Sequence, residues 1–140
     1  MDILLTGFEP FGGEEVNPSW EAVNRLPDNI DGARIHKLRL PVEYHNSIRA
    51  AQAKFAEINP DAVIMTGQAG GRKGVTIERV AINIDDADAP DNAGAVIHDG
   101  IIRRGAPNAY FSTLPIKDAV RAINDAGIEA HISNSAGTYV

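Results

Sequence analysis

The chain has 140 residues, of which 44% are hydrophobic and 23% charged, as in an ordinary soluble domain. With 13 Lys and Arg against 19 Asp and Glu, the net charge is −6, which disfavours binding to nucleic acid or to an anionic membrane surface. No apolar run is long enough to cross a bilayer, and the N-terminus lacks the basic region of a signal peptide. There is no cysteine, which excludes disulfides, thiolate metal sites and a cysteine nucleophile within these residues.

Short apolar runs alternate with helical patterns along the sequence. The run at 2–6 stops at Gly7 and predicts a buried strand. Asn17 followed by Pro18 predicts the start of a helix, and Gly127 predicts the end of another. In chain order, the predicted elements are a strand at 2–6, a helix at 18–26, a strand at 34–40, a helix at 43–58, strands at 61–66 and 75–82, a turn at 92–94, a helix at 116–126 and a strand at 129–134.

This alternation predicts one α/β domain over residues 1–140, a three-layer α/β/α sandwich with a mainly parallel twisted sheet. Ligands of such sheets bind beyond the carboxyl ends of the strands, so the loops at 7–17, 67–74 and 134–140 are expected at one rim. The sequence stops inside the third of these loops. We therefore expect the domain to be incomplete at its C-terminus.

Two of these loops carry side chains suited to a small ligand. Phe8 and Phe11 flank a Gly- and Pro-rich turn and predict either the wall of a pocket for a flat ligand or ordinary core packing. Gln68, at the end of a strand, has an amide that can both donate to and accept from a ligand, although it could equally cap the loop. Neither loop has the sequence of a phosphate-binding loop.

Glu78 lies among β-branched residues, where a buried carboxylate needs a partner. It predicts either a group that orients an imidazole and stabilises its cation, or a structural ion pair with a nearby arginine. The four histidines lie in separate segments, without the spacing of a metal site. The acidic run at 85–92 is more typical of turns than of a cation site, so we expect no bound metal.

Several strings of the sequence, taken together, resemble the pyroglutamyl peptidase I family, the cysteine peptidases also called pyrrolidone-carboxylate peptidases. The matching strings follow the family's order over the whole chain and lie at 5–13, 17–23, 67–71, 77–83, 90–94 and 110–115. The resemblance implies a cytoplasmic hydrolase that removes an N-terminal pyroglutamyl residue from peptides by a Cys-His-Glu triad. It implies no cofactor, no nucleic-acid or membrane partner, and a homotetramer.

Glu78 matches the catalytic Glu of the family. The family's Cys follows directly on a string similar to 135–140, so here it would come immediately after Val140, and the family's His lies further on. The resemblance therefore implies that only one member of the triad belongs to this chain. We expect the 140 residues alone to be inactive.

The resemblance also assigns six residues to the substrate pocket, namely Phe8, Phe11, Asn17, Gln68, Tyr139 and Val140. The two phenylalanines would sandwich the pyrrolidone ring, and the two side-chain amides would form hydrogen bonds with its lactam. The last two residues would complete the pocket wall.

The sequence departs from the family pattern at three positions. Asp88 and Ala89 stand where the family has Arg and a larger aliphatic residue, and an inward-pointing Asp88 would repel a thiolate. Tyr139 stands where many relatives have Phe. An alternative reading is a non-catalytic fragment or pseudoenzyme that keeps the pocket and only binds. Another α/β protein, related to hydrolases or nucleoside phosphorylases, would need a phosphate site that the sequence does not contain.

Overall fold

The structure, a computed structural model, describes residues 1–140 and contains three helices and ten strands. In chain order, the elements are β1 (Asp2–Phe8), α1 (Pro18–Arg25), β2 (Asn29–Ile30), β3 (Ala33–Leu40), α2 (Asn46–Ile58), β4 (Ala62–Met65), β5 (Val75–Glu78), β6 (Val80–Ile82), β7 (Ile84–Ala87), β8 (Ile97–Ile101), β9 (Ala109–Phe111), α3 (Ile116–Asp125) and β10 (Ala130–Ser133). The predicted α/β class is confirmed, with a central sheet whose strand pairing is mostly parallel.

The chain divides into two compact units. The first unit comprises Met1–Gln68, Pro90–Val96 and Val140. The second comprises Ala69–Ala89 and Ile97–Tyr139. The single domain expected over 1–140 stays a prediction.

The first unit is built on a four-stranded sheet in the order β2-β3-β1-β4. β1 pairs in parallel with β3 and with β4, whereas the short β2 is antiparallel. The chain passes from β1 to β3 on one side and returns to β4 on the other, so right-handed crossovers put α1 and α2 on opposite faces. Ligands of open α/β sheets bind at such a change of direction, beyond the carboxyl ends of the strands.

The core of the first unit lies between α1 and one face of this sheet. Its buried cluster consists of Leu5, Val23, Ala33 and Ile35, with Ile3 and Trp20 packed against it. Burying each of the Leu, Val and Ile side chains of this cluster stabilises the fold by about 1.5–3 kcal/mol. The helix approaches β1 closely at Gly7, where an added Cβ would lie 2.8 Å from the backbone of Ser19. Glycine at this position is therefore required by the packing.

The second helix is shorter than the sequence predicts. It begins at Asn46 instead of residue 43, because His45 has a φ of 64°, which lies outside the helical region. The N–H of Asn46 donates to the carbonyl of Tyr44 at 2.8 Å, which turns the chain just before the helix.

The second unit contains three two-stranded sheets. β5 pairs in parallel with β10, β6 in antiparallel with β9, and β7 in antiparallel with β8. The single strand predicted at 75–82 is wrong, because the chain changes partner at Arg79. There the N–H donates to Ser133 of the β10 side and the carbonyl accepts from Ser112 of the β9 side.

The helix end predicted at Gly127 is confirmed. Gly127 has a φ of 81°, its N–H donates to the carbonyl of Asn124, and the N–H of Ile128 donates to that of Ile123. This pair of bonds is a Schellman motif, which satisfies the last carbonyls of α3. The Asn124 side chain then exchanges two hydrogen bonds with the backbone of Ala130 and so fixes the start of β10.

None of the three helices is both long and apolar enough to cross a membrane.

Asp91 is a buried carboxylate that ties together two segments of the first unit. Its oxygens accept hydrogen bonds from the N–H groups of Tyr44, Ala93 and Ala95 at 2.8–2.9 Å. Burial by itself raises the pKa of Asp91, but the backbone N–H groups of Tyr44, Ala95, Ala93 and Gly94 together outweigh burial and lower the pKa below its ordinary value. The acidic run thus contributes a turn at this point, as predicted.

Replacing Asp91 with Asn should destabilise the protein and flatten its pH dependence. A buried donor left without an acceptor costs about 1–3 kcal/mol, and the amide has one acceptor oxygen where the carboxylate has two. Because the native pKa of Asp91 is lowered, its contribution is complete above about pH 4, the unfolded value, and is lost as the pH falls through the native value. Urea unfolding at pH 7 and pH 3 measures both effects.

The matched control is Asp118→Asn, which removes an exposed carboxylate paired only with Arg121 and should change stability by less than about 0.5 kcal/mol. Equal stability of Asp91→Asn and the parent chain at pH 7 would contradict the structural role of Asp91.

Candidate functional site

Phe8 and the loop after β4 share the carboxyl edge of the first unit's sheet. Phe8 is the last residue of β1, and its N–H donates to Ser19 Oγ at 3.0 Å. A Cβ added at Gly67 would lie 3.9 Å from the Phe8 ring, so this ring lies against the start of the β4 loop. The half-buried ring therefore lies at the edge of the sheet where a ligand of such a sheet would bind.

Phe11 and Gln68 lie on the two loops at this edge. Phe11 is half-buried, and its carbonyl accepts from the N–H of Glu14 across a turn in which Gly12 and Gly13 have φ values of 64° and 82°. Two successive residues with positive φ explain why this turn is made of glycines. Gln68 is exposed and its amide makes no hydrogen bond within the chain, so it is free to meet a ligand.

Asn17 is the N-cap residue of α1, as its sequence context predicts. It is 2% exposed and caps α1, its Oδ1 accepting from the N–H and the hydroxyl of Ser19, while its Nδ2 donates to the carbonyl of Glu9 at 2.9 Å. The helix start predicted at Asn17 and Pro18 is confirmed. Contact of Asn17 with a substrate stays a prediction, as do the substrate contacts of the other pocket residues.

Glu9 organises this edge of the sheet, a role that the sequence did not predict. Its Oε1 accepts from the N–H of Val42 at 3.1 Å and from Nδ2 of Asn92 at 2.8 Å. The same amide donates to the carbonyl of Pro10 at 2.9 Å. One carboxylate thus fixes the Phe8–Phe11 loop against two other segments of the unit. Its position between Phe8 and Pro10 is the only sequence signal that could have pointed to it.

Glu78 occupies the end of β5 in the second unit, and its two oxygens have different surroundings. Oε1 accepts from Arg72 at 3.2 Å and from the hydroxyl of Thr76 at 3.3 Å. Oε2 is buried and has no hydrogen-bond partner. A buried acceptor without a donor is costly, so Oε2 is suited to receive a hydrogen bond from a further group.

Arg72 is the arginine that pairs with Glu78, and the adjacent Arg79 is not. Its guanidinium also approaches Ser133 Oγ at 3.4 Å and donates to the carbonyl of Ser135 at 3.0 Å. The role of Arg72 could not be predicted from the sequence, because a single arginine after a run of glycines has no distinctive spacing. Only the fold brings its loop to the ends of β5 and β10.

The segment after β10 is held by hydrogen bonds from several sides. The N–H of Ser135 donates to Ser133 Oγ, and the N–H of Gly137 donates to Ser135 Oγ, both at 3.2 Å. Thr138 then binds the backbone of Asp86 through its carbonyl and its hydroxyl. Tyr139, the half-buried last residue of the second unit, follows directly, whereas the half-buried Val140 belongs to the first unit.

Asp88 points into solvent. Its side chain is fully exposed, and its carboxylate lies 3.8 Å from Nδ1 of His98, which also approaches Asp86. The structure therefore gives no support to an inward-pointing Asp88. The other paired histidine, His36, binds Asp2 at 2.6 Å. Glu78 pairs with Arg72 and with no histidine of the chain.

Known proteins resemble this chain over its full length. The family model described as "Pyroglutamyl peptidase" matches residues 1–140. A pyrrolidone-carboxylate peptidase of Thermococcus onnurineus is 56% identical over 140 residues, which are 100% of this chain and 70% of that protein. A pyrrolidone-carboxylate peptidase of Clostridium perfringens strain 13 is 53% identical over 140 residues, or 66% of its length.

Solved structures agree with this relationship. A mutant pyrrolidone carboxyl peptidase from P. furiosus superposes with a TM-score of 0.96 at 46% identity, covering 99% of this chain and 67% of that one. Pyroglutamyl peptidase I from Bacillus amyloliquefaciens gives a TM-score of 0.95 at 46% identity, covering 99% and 66%. The chain thus spans 66–70% of the length of these relatives. The chain belongs to the pyroglutamyl peptidase family.

Proposed function

We propose that this chain is the larger part of a cysteine peptidase that removes an N-terminal pyroglutamyl residue from peptides. Membership of the family, and the names of relatives more than half identical in sequence, support this assignment. The proposed triad is Cys-His-Glu. Glu78 is its one member in this chain, and the Cys and His belong to the part of the family length that the chain does not span.

The observation that carries the proposal is the environment of Glu78. Oε1 is engaged by Arg72 and Thr76, while the buried Oε2 has no donor. In a catalytic triad, the carboxylate accepts a hydrogen bond from an imidazole N–H. It thereby holds the ring in one tautomer and stabilises its cation. In the proposed enzyme, Oε2 receives that hydrogen bond.

The remaining steps follow from the chemistry of a thiol nucleophile. The His takes the proton of the Cys thiol, and the thiolate attacks the carbonyl carbon of the pyroglutamyl amide. The His returns the proton to the departing amine, and water then hydrolyses the thioester. This pathway requires no cofactor.

The pocket in this proposal uses the residues that the family resemblance assigns. The pyrrolidone ring is small, flat and neutral, so the rings of Phe8 and Phe11 suit its faces. Gln68 suits its lactam, because its free amide can both donate and accept. Asn17 has one amide N–H besides the one that donates to Glu9. Tyr139 and Val140 are included in the proposal because the family resemblance assigns them to substrate binding.

We place the enzyme in the cytoplasm, where a nucleophilic thiol stays reduced. From the family resemblance, we also propose that the enzyme forms a homotetramer and that residues 1–140 belong to a single peptidase domain.

A second candidate function is binding without catalysis. The observation that favours it is the absence of cysteine from all 140 residues. In that case the chain binds pyroglutamyl peptides, and Phe11→Ala weakens binding. Isothermal titration of the 140-residue chain with a pyroglutamyl amide tests this directly, and no heat of binding at millimolar ligand would contradict it.

The experiment that tests the proposed role of Glu78 is the substitution Glu78→Gln. The protein used is the chain fused to the part of the T. onnurineus relative that it does not span. The amide of Gln still accepts a hydrogen bond but cannot stabilise an imidazolium, so kcat should fall by about 10³–10⁴-fold while the fold stays intact. Steady-state kinetics and a thermal melt measure the two effects separately.

Glu129→Gln is the matched control, because Glu129 is exposed and its side chain makes no hydrogen bond. If Glu78 is only a structural ion-pair partner, Glu78→Gln will lower the melting temperature and leave kcat unchanged. That result would remove Glu78 from the proposed mechanism.

A further inference from the structure

The guanidinium of Arg72 forms hydrogen bonds with three separate parts of the second unit. Its Nη1 contacts Oε1 of Glu78 and Oγ of Ser133, and its Nη2 donates to the carbonyl of Ser135. These partners are the end of β5, the end of β10 and the segment that follows β10. A planar guanidinium can hold several acceptors in a fixed geometry, which an ammonium group cannot do.

The backbone on either side of Arg72 is itself fixed. The N–H of Arg72 closes a turn with the carbonyl of Ala69, in which Gly71 has a φ of 78°. Gly74, with a φ of 71°, packs so closely that an added Cβ would lie 2.4 Å from the carbonyl oxygen of Glu129. The guanidinium therefore projects from a loop anchored at both ends. It is 38% exposed, so solvent reaches the group but does not surround it.

The hydrogen bonds from Arg72 and Thr76 also leave one oxygen of the Glu78 carboxylate without a partner. Arg72 and Thr76 both bind Oε1, and neither binds Oε2. If Arg72 were absent, only Thr76 would still donate to the Glu78 carboxylate, which could then rotate out of this orientation. The carbonyl of Ser135 would lose its guanidinium donor at the same time.

We propose that Arg72 is a positioning residue, which fixes the Glu78 carboxylate with Oε2 available and holds the 133–137 segment in register with it. The inference rests on the proposed function, in which Oε2 accepts from the catalytic imidazole and the nucleophile follows this segment. Arg72 does not touch the substrate in this proposal. It acts by keeping two parts of the reaction machinery in one arrangement.

The first test uses the 140-residue chain and does not depend on catalysis. Amide hydrogen exchange is measured at Ser135 and Gly137 in Arg72→Ala and in the control Lys73→Ala. Lys73 is the next residue of the same loop, is exposed and makes no ion pair. We expect exchange at both amides to accelerate by about tenfold in Arg72→Ala, because the segment opens locally, and to stay unchanged in Lys73→Ala. Equal exchange in the two variants would overturn the inference.

The second test uses the fusion with the T. onnurineus relative. In Arg72→Ala we expect kcat for a pyroglutamyl amide to fall by about 100-fold with little change in KM, as for a misplaced catalytic group. Arg72→Lys should recover only a small part of this loss. Added guanidinium ion should raise the kcat of Arg72→Ala and leave that of Lys73→Ala unchanged, a rescue that general destabilisation does not give.

The outcomes separate the two proposals. A fusion that is inactive with Arg72 in place contradicts the proposed function, and hydrogen exchange still decides whether Arg72 holds the segment. A fusion that is active and keeps its kcat in Arg72→Ala contradicts the positioning role alone.

Discussion

The 140-residue chain should not turn over a pyroglutamyl amide at all, and its fusion with the remaining part of the T. onnurineus relative should. The covalent pathway needs a thiolate, and the chain contains no cysteine. Replacing the proposed Cys nucleophile of the fusion with Ala should lower kcat by about 10⁶-fold, the size of effect found when a peptidase triad loses its nucleophile. Release of a chromogenic amine measures this over the required range.

Alkylation provides the control for this result. A thiol reagent should abolish the activity of the fusion, and the 140-residue chain should be unaffected because it has no thiol to modify. Turnover by the purified 140-residue chain that resists alkylation would contradict a thiol mechanism.

A prolyl amide should be a far poorer substrate of the fusion than a pyroglutamyl amide, by about 10⁴-fold in kcat/KM. Proline lacks the ring carbonyl and carries a charged amine. A site built to hydrogen-bond a polar group rejects analogues that lack it far better than an apolar slot rejects an extra methylene. Desolvating a charged amine without a partner adds to the loss. Comparable kcat/KM values for the two amides would remove the case for a pyroglutamyl pocket at Phe8, Phe11 and Gln68.

The aromatic part of the pocket can be tested within the same assay. Phe11→Ala should raise KM for the pyroglutamyl amide more than it lowers kcat, if the ring contributes equally to ground-state and transition-state binding. Phe111→Ala is the matched control, since Phe111 is a 72% exposed ring on β9 in the second unit. A KM that is unchanged in Phe11→Ala would contradict a role for this ring in the pocket.

Local rules accounted for the features whose causes lie close together in the sequence. The start of α1 at Asn17 and Pro18, the end of α3 at Gly127 and the buried strand β1 follow from a cap, a backbone angle and an apolar run. Such signals involve neighbours a few residues apart. They can therefore be read from one sequence without knowledge of the fold.

The features that were missed depend on distant partners. The break at Arg79 exists because β5 pairs with β10 while β6 pairs with β9, and nothing within 75–82 marks the change. Arg72 reaches Ser135 over 63 residues and Glu9 reaches Asn92 over 83. The strands β7, β8 and β9 are short, and acidic residues or a glycine interrupt the apolar pattern of β7 and β8. Contacts of this kind have no local pattern that could reveal them.

The first unit is assembled from pieces that are far apart in the chain. Residues 90–96 belong to the first unit, although residues of the second unit precede and follow them in the chain. The N–H of Asn92 donates to the carbonyl of Val42, and Asp91 accepts from the N–H of Tyr44. During synthesis, the ribosome must therefore add residues 69–89 before the first unit has its full set of bonds. Since chains grow at about 5–20 residues per second, the first unit has all four strands of its sheet for some seconds before Asp91 can accept from the N–H of Tyr44. The hydrogen bonds of the first unit are consequently completed only after part of the second unit has been synthesised.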